Sequence, residues 1–229
     1  MHETKDKDHV SILSFNQDPN IGLYAFATDK FCLLGADIDE RYEKIIEETL
    51  KVPVYRITIA GTSMAGVFIA GNENCILIPE ITFDYEIKNL EKLKIPFKVI
   101  KSKITALGNT IACNKNAVYV SDEFSSDTKK RIRQALNLPL KPGKIAGLSQ
   151  VGSCLVLNDK GGLIHRDAED FELDLLDDFF KVELTEGTIN MGSPYVKSGI
   201  IANNKGLIIG ASSGGPEASN ADSALGFVE

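Results

Sequence analysis

No apolar run in this chain approaches the roughly 20 residues that a membrane-crossing helix requires, so no membrane association is expected. An apolar leader is also missing. Met1-His2-Glu3-Thr4-Lys5-Asp6-Lys7-Asp8 is charged where a signal peptide would be apolar, which predicts a cytoplasmic protein. Cysteine is sparse: Cys32, Cys75, Cys113 and Cys154 form no CxxC pair, and in an intracellular chain of 229 residues such thiols are expected to be reduced and buried. Basic charge is in deficit, with 25 Lys and Arg against 32 Asp and Glu and a net charge of −7. Without a positive footprint the chain is not expected to be chiefly a DNA or RNA binder. Lys129-Lys130-Arg131-Ile132-Arg133 is the best local basic patch, and it reads as a solvated helix face. No Pro/Gly/Ser-rich linker interrupts the sequence, which predicts one domain.

What the chain does contain is a turn repeated five times. Thr28-Asp29-Lys30, Asn72-Glu73-Asn74, Asn114-Lys115-Asn116, Asn158-Asp159-Lys160 and Asn203-Asn204-Lys205 follow one another at intervals of 42 to 45 residues. Each separates two short, mostly apolar runs, and Asn, Asp and Gly in that position signal a hairpin because they tolerate tight-turn geometry. A near-constant period of this size means one supersecondary unit used five times.

Amphipathic helices follow the first four hairpins, read from stripes at helical spacing: Tyr42, Ile45, Ile46 and Leu50; Phe83, Ile87, Leu90 and Leu93 with Thr82 as N-cap; Ile132, Ala135 and Leu136 with Ser126 as cap; Phe171, Leu175, Leu176 and Phe179. Val52-Pro53-Val54, Ile95-Pro96-Phe97 and Leu138-Pro139-Leu140 then open a third strand, with proline stopping the helix. The fourth unit has Val182-Glu183-Leu184 instead. A second fixed point is glycine. Gly22, Gly66, Gly108 and Gly152 stand six residues before their turns, whereas the fifth unit has Lys197 in that slot and Gly199 two residues later.

After the fifth hairpin, Pro216 to Gly226 leaves room for at most a short, weak helix and no third strand. Val10-Ser11-Ile12-Leu13-Ser14-Phe15 is a strand standing ahead of the first unit. The expectation is an α/β ring of five units closed by this N-terminal strand, which removes the exposed edge of an open repeat array. The domain is expected over 10–229, with units at about 16–61, 62–106, 107–147, 148–190 and 191–229 plus strand 10–15, and residues 1–9 as a flexible tail. Sheets should line a central channel, with helices outside.

The junctions between units carry a resemblance. Ile59-Ala60-Gly61-Thr62-Ser63, Thr105-Ala106-Leu107-Gly108-Asn109-Thr110, Gln150-Val151-Gly152-Ser153 and Gly187-Thr188-Ile189-Asn190-Met191-Gly192-Ser193, with Asn20-Ile21-Gly22 and Gly161-Gly162-Leu163-Ile164-His165, resemble the translation initiation factor 6 family, archaeal type, over about residues 10–215. That resemblance implies the pentein fold, a five-bladed αβ propeller with pseudo-fivefold symmetry. It also implies a ribosome anti-association factor, a monomer that binds the large ribosomal subunit, mainly through a ribosomal protein near the sarcin-ricin loop, and blocks premature joining of the small one. A role in large-subunit maturation would be compatible with it.

Other penteins are enzymes that act on guanidinium groups with a Cys nucleophile, so a guanidino hydrolase or transferase is the rival reading. A Cys–His pair needs a thiolate and a base within hydrogen-bond reach. Here His165 is the only histidine beyond the N-terminal tail, the last unit has no cysteine, and Cys32 and Cys75 sit in apolar strand runs. A scaffold with a different partner is a third option. Gly161-Gly162 and Gly214-Gly215 lack the spacing of a phosphate loop. The acidic run Glu169, Asp170, Glu172, Asp174, Asp177 and Asp178 reads as a solvated helix face, and no metal, cofactor or catalytic residue is expected. The junction loops should cluster on one face. Thr62, Ser63, Asn109, Ser149, Gln150, Asn190 and Ser193, small or polar and uncharged, are the candidate ribosome-binding residues.

Overall fold

A computed structural model describes residues 9–228 of the chain. The first unit sets the plan. Strands β2 (Ala25–Ala27) and β3 (Cys32–Gly35) form the hairpin, helix α1 (Arg41–Leu50) crosses over, and β4 (Val54–Ile57) returns parallel to β3. The second unit repeats it with β5 (Ala70–Asn72), β6 (Cys75–Pro79), α2 (Asp84–Lys92) and β7 (Phe97–Ile100), and the third with β8 (Ile111–Cys113), β9 (Val118–Ser121), α3 (Ser126–Leu136) and β10 (Leu140–Gly143). The fourth has β11 (Leu155–Leu157), β12 (Gly161–His165), α4 (Asp170–Phe180) and β13 (Glu183–Gly187). The fifth supplies β14 (Ile200–Ala202), β15 (Leu207–Gly210) and α5 (Gly215–Ala224), and its third strand is β1 (Val10–Leu13), which pairs parallel with β15 from Val10↔Leu207 to Leu13↔Gly210. The strand read ahead of the first unit is therefore the missing piece of the last.

Two corrections concern the chain ends. The weak C-terminal helix is a full ten-residue helix, α5, in which Ala221 and Ala224 pack into the core. Residues 1–8 of the expected tail lie outside the described residues, but His9 belongs to the fifth unit. Its carbonyl accepts from Leu207 N, its Nε2 bonds the buried Asp222 carboxylate at 2.9 Å, and its ring stacks on Phe227.

The expected stripes hold in α1, apart from Ile45, and in α3, and fail in phase at Phe83 of α2 and at Phe171 and Leu175 of α4. The inward positions of the helices run at i, i+4, i+8: Tyr42, Ile46 and Leu50 in α1; Thr128, Ile132 and Leu136 in α3; Glu172, Leu176 and Phe180 in α4. Glu86 with Leu90 and Ala221 with Leu225 hold the same places in α2 and at α5. Ile45, Phe83, Phe171 and Leu175, assigned inward by hydrophobicity, are exposed. The N-caps also shift by one residue: Phe83 rather than Thr82 caps α2, while Thr82 Oγ1 bonds Pro79 O, and Ser125 rather than Ser126 caps α3 by accepting from Thr128 N.

The phase error has a physical source, since the first inward residue of α2 and α4 is a glutamate. A buried carboxylate is tolerable only when hydrogen-bonded. Glu86 accepts from Gly61 N and Phe83 N, both at 2.9 Å. Glu172 accepts from Ala146 N at 2.9 Å and Glu169 N at 3.0 Å. At the same helical position of α5, Glu217 takes Gly192 N at 2.8 Å, Met191 N at 3.2 Å, Gly214 N at 3.0 Å and the Thr188 hydroxyl at 2.8 Å. Burial alone would raise the Glu217 pKa, but these four donors together hold it below the usual carboxylate value. Each glutamate thus ties a helix start to the junction turn beside it. Those turns are left-handed, with Ala60 at φ 52° and Gly61 at 74°, Ala146 at 51° and Gly147 at 73°, Asn190 at 50° and Met191 at 65°. Glu172→Ala would leave two amide donors without their carboxylate and is expected to cost about 2–4 kcal/mol, read as a lower urea midpoint.

Prolines act at the ladder starts as their positions suggested. Pro53, Pro96 and Pro139 carbonyls accept from Cys32 N, Ile76 N and Val118 N, each at 2.9 Å, so a residue without a donor still opens the parallel pairing.

Candidate functional site

The five first strands, β2, β5, β8, β11 and β14, stand around a central axis and line a cavity of about 110 Å³ with Ala25, Ala70, Ala112, Leu155 and Ile201 among its walls. Glycine makes the inner contacts possible. A Cβ at Gly66 would lie 1.9 Å from Gly22 O, one at Gly108 2.1 Å from Gly66 O, and one at Gly152 2.3 Å from Gly108 O. A Cβ at Gly22 would in turn lie 1.9 Å from Lys197 O, so these contacts run from the fifth unit back to the first.

One mouth of the channel is formed by the five turns. Asn204 N donates to Asp29 Oδ1 at 2.9 Å, Asp159 N to Asn204 Oδ1 at 2.8 Å, and the Lys115 ammonium pairs with Asp159 at 3.3 Å. Glu73 also lines this end, making the mouth mostly acidic. The asparagines that open the turns bind across units. Asn114 Nδ2 donates to Phe180 O at 3.0 Å, Asn158 Nδ2 to Leu225 O at 3.0 Å, and Asn203 Nδ2 to Leu50 O at 2.9 Å. These acceptors are helix-end carbonyls without an intrahelical partner, so each amide satisfies a neighbouring unit's backbone.

The opposite mouth is a cavity of about 310 Å³ bordered by Asn20, Asn109, Ser153, Ser193, Tyr195 and Ser198. Of the candidate binding residues, it gathers Asn109 and Ser193. Five others sit in the junctions, four of them engaged in local bonding. The Thr62 hydroxyl bonds Ile59 O and accepts from Met64 N; Ser63 Oγ accepts from Asp37 N; Ser149 Oγ donates to Asp122; Asn190 Nδ2 donates to Pro19 O at 2.9 Å, joining the fifth unit to the first. Gln150 is exposed. Hydrophobicity gave no signal for the most exposed apolar side chain of this region, Met191, which stands 85% accessible at the tip of its turn, with Tyr195 at 44%. Tyr195 lies edge-on to His165 at 6.0 Å.

Chemistry at the cysteines is disfavoured. Burial pushes the Cys32, Cys113 and Cys154 thiols up to about 12 and raises Cys75 as well, the reverse of what a thiolate nucleophile needs. Cys154 and His165 face each other across the fourth hairpin, a juxtaposition the sequence did not reveal, yet no hydrogen bond joins their side chains. His165 Nδ1 instead accepts from Asp167 N at 3.1 Å, and burial keeps its pKa below the ordinary histidine value. The acidic run of α4 is divided among separate tasks, with Glu172 on the Ala146 turn, Asp177 on Leu184 N and Asp178 on Lys181. Arg131 in the basic patch pairs with Asp127 one turn away.

A family model described as the eIF-6 family matches residues 10–224, spanning all five units and β1. The chain belongs to the eIF-6 family. Relatives named translation initiation factor 6 include those of Pyrococcus horikoshii, 38% identical over 96% of this chain and 100% of the relative, and Pyrococcus abyssi, 39% identical over the same shares. The relative of Staphylothermus marinus is 40% identical over 90% of this chain and 92% of its own. Among solved structures, a dimethylarginine dimethylaminohydrolase is similar with a TM-score of 0.50 over 76% of this chain and 69% of that one, at 19% identity. That likeness concerns the fold alone and agrees with a five-unit pentein. Membership of the family makes the chain a translation factor, and the guanidino-hydrolase alternative is not favoured. Among the described residues no helix is long and apolar enough to cross a membrane.

Proposed function

We propose that this protein is a cytoplasmic, monomeric, non-catalytic factor that binds the large ribosomal subunit and prevents premature association with the small one. The observation that carries the proposal is similarity along the whole length of relatives named translation initiation factor 6. A net charge of −7 suits docking on a basic ribosomal protein, here one near the sarcin-ricin loop, because complementary charge speeds and orients encounter. The raised cysteine pKa values argue for binding rather than turnover.

We assign the contact to the junction face, with Gln150 and Met191 as its accessible side chains and Thr62, Ser63, Asn109, Ser149, Asn190 and Ser193 shaping the surface beneath. Co-sedimentation with purified subunits tests both claims. The wild-type chain should pellet with large subunits only and should lower the yield of joined ribosomes. Gln150→Arg with Met191→Arg should weaken that binding at least about tenfold with an unchanged melting temperature, since both side chains are exposed. Undiminished binding by the double variant would place the contact elsewhere, and pelleting with small subunits would refute the function.

A further inference from the structure

Lys197 occupies the slot where four units carry glycine, and its side chain enters the axis between the two cavities described above. Its Nζ donates to Gly108 O at 2.5 Å, and among the described residues the ammonium makes no other hydrogen bond and no ion pair. Burial lowers its pKa to about 8, so at neutral pH it is still largely charged. Lys197 is partly buried, and its ammonium meets one carbonyl and no counter-charge among the described residues, which leaves it able to pair with an anion entering the channel.

The chamber above it has the composition that would complete the pairing. No carboxylate lines it, although the chain as a whole is acidic and the opposite mouth carries Asp29, Glu73 and Asp159. The Asn109 amide and the Ser153, Ser193 and Tyr195 hydroxyls border it, and none of these four side chains hydrogen-bonds another group among the described residues. These side chains are open to the chamber and can all donate, and they share its wall with a cation that has no counter-charge, a combination that suits a ligand that is all acceptor.

We propose that the junction-side mouth of the channel binds a small oxyanion, a phosphate or carboxylate group, with the Lys197 ammonium as its counter-ion and Asn109, Ser153 and Ser193 as hydrogen-bond donors. A compact ammonium serves either oxyanion as a point charge. Asn109 and Ser193 also belong to the surface assigned to the ribosome, but the anion site does not rest on that assignment, and its test needs no ribosome.

The test is thermal unfolding of the full chain titrated with sodium phosphate, sodium acetate or sodium chloride at matched ionic strength. A saturable rise in Tm with phosphate or with acetate, absent with chloride, is expected, and whichever anion saturates identifies the group bound. Lys197→Met should abolish the response while melting no lower in chloride than the wild type, because the unpaired charge is gone. Asn109→Ala with Ser193→Ala should weaken the anion at least about fivefold, with Tm in chloride retained. Equal effects of all three salts, or a saturable response persisting in Lys197→Met, would overturn the site. Should Lys197→Met fail to fold, wild-type anion affinity in the Asn109→Ala/Ser193→Ala variant would overturn it equally.

Discussion

Gly108→Ala is expected to be among the most damaging single-methyl additions in this protein, costing at least about 3 kcal/mol and lowering the urea midpoint accordingly. The added Cβ would stand 2.1 Å from Gly66 O, 2.7 Å from Ile69 O and 2.9 Å from Val67 O. All three are backbone atoms of the neighbouring unit, so no rotamer change can relieve the overlap and whole units would have to part. Gly66→Ala meets the same obstacle at 1.9 Å. Gly215→Ala is the control. It starts α5, has nothing but its own chain neighbours within 4 Å of the new Cβ and no positive φ, and should change stability by no more than about 1 kcal/mol, the Cβ sitting ahead of Pro216. If Gly108→Ala melted like Gly215→Ala, the close inter-unit packing described here would be wrong.

Asn203→Ala should be among the largest losses at the turns, about 3 kcal/mol or more, because, as at Asn158, one buried side chain serves two purposes. Its Oδ1 accepts from Lys205 N at 2.8 Å and Gly206 N at 3.0 Å, which shapes the fifth turn. Its Nδ2 donates to Thr28 O at 3.0 Å and Leu50 O at 2.9 Å, which ties the fifth unit to the first. The first unit separates these two contributions naturally. Thr28 holds the same slot, and its hydroxyl accepts from Lys30 N and Phe31 N, but it has no amide to reach a neighbour. Asn203→Thr should therefore keep the turn and lose the inter-unit tie, falling roughly midway between wild type and Asn203→Ala. Equal stability of the Thr and Ala variants would mean that the turn bonds contribute little.

These two results bear on how far the candidate site was legible. The glycine slot was visible as a spacing, and so was the exception at Lys197, but spacing alone could not say that the exceptional side chain lies in the axis. The candidate residues came from the junctions because small polar residues stood there. Asn109 and Ser193 do border the mouth, whereas Ser63, Ser149 and Asn190 are occupied holding turns. Ser153 and Lys197, also in the chamber wall, stood only in a junction fragment and a glycine slot, and Tyr195 fell in no pattern at all. Hydrophobic periodicity misphased α4 for a related reason. It assigned Phe171 inward, while the inward place belongs to Glu172, whose carboxylate meets the Ala146 amide of a turn 26 residues away.

By itself the sequence determined the number of units, the order of strand, turn, strand, helix and strand within each, and the use of the N-terminal strand to finish the fifth sheet. All of these rest on local chemistry: turn residues that tolerate tight geometry, prolines that end helices, and apolar runs of strand length. The tertiary structure alone decided which helix face turns inward, which turn asparagines reach across units, and that Lys197 stands without a counter-ion beneath a neutral polar mouth. Those features join groups 26 to 175 residues apart, such as Ala146 with Glu172 and Asn203 with Thr28, and their energies depend on burial and on partners that no local pattern encodes.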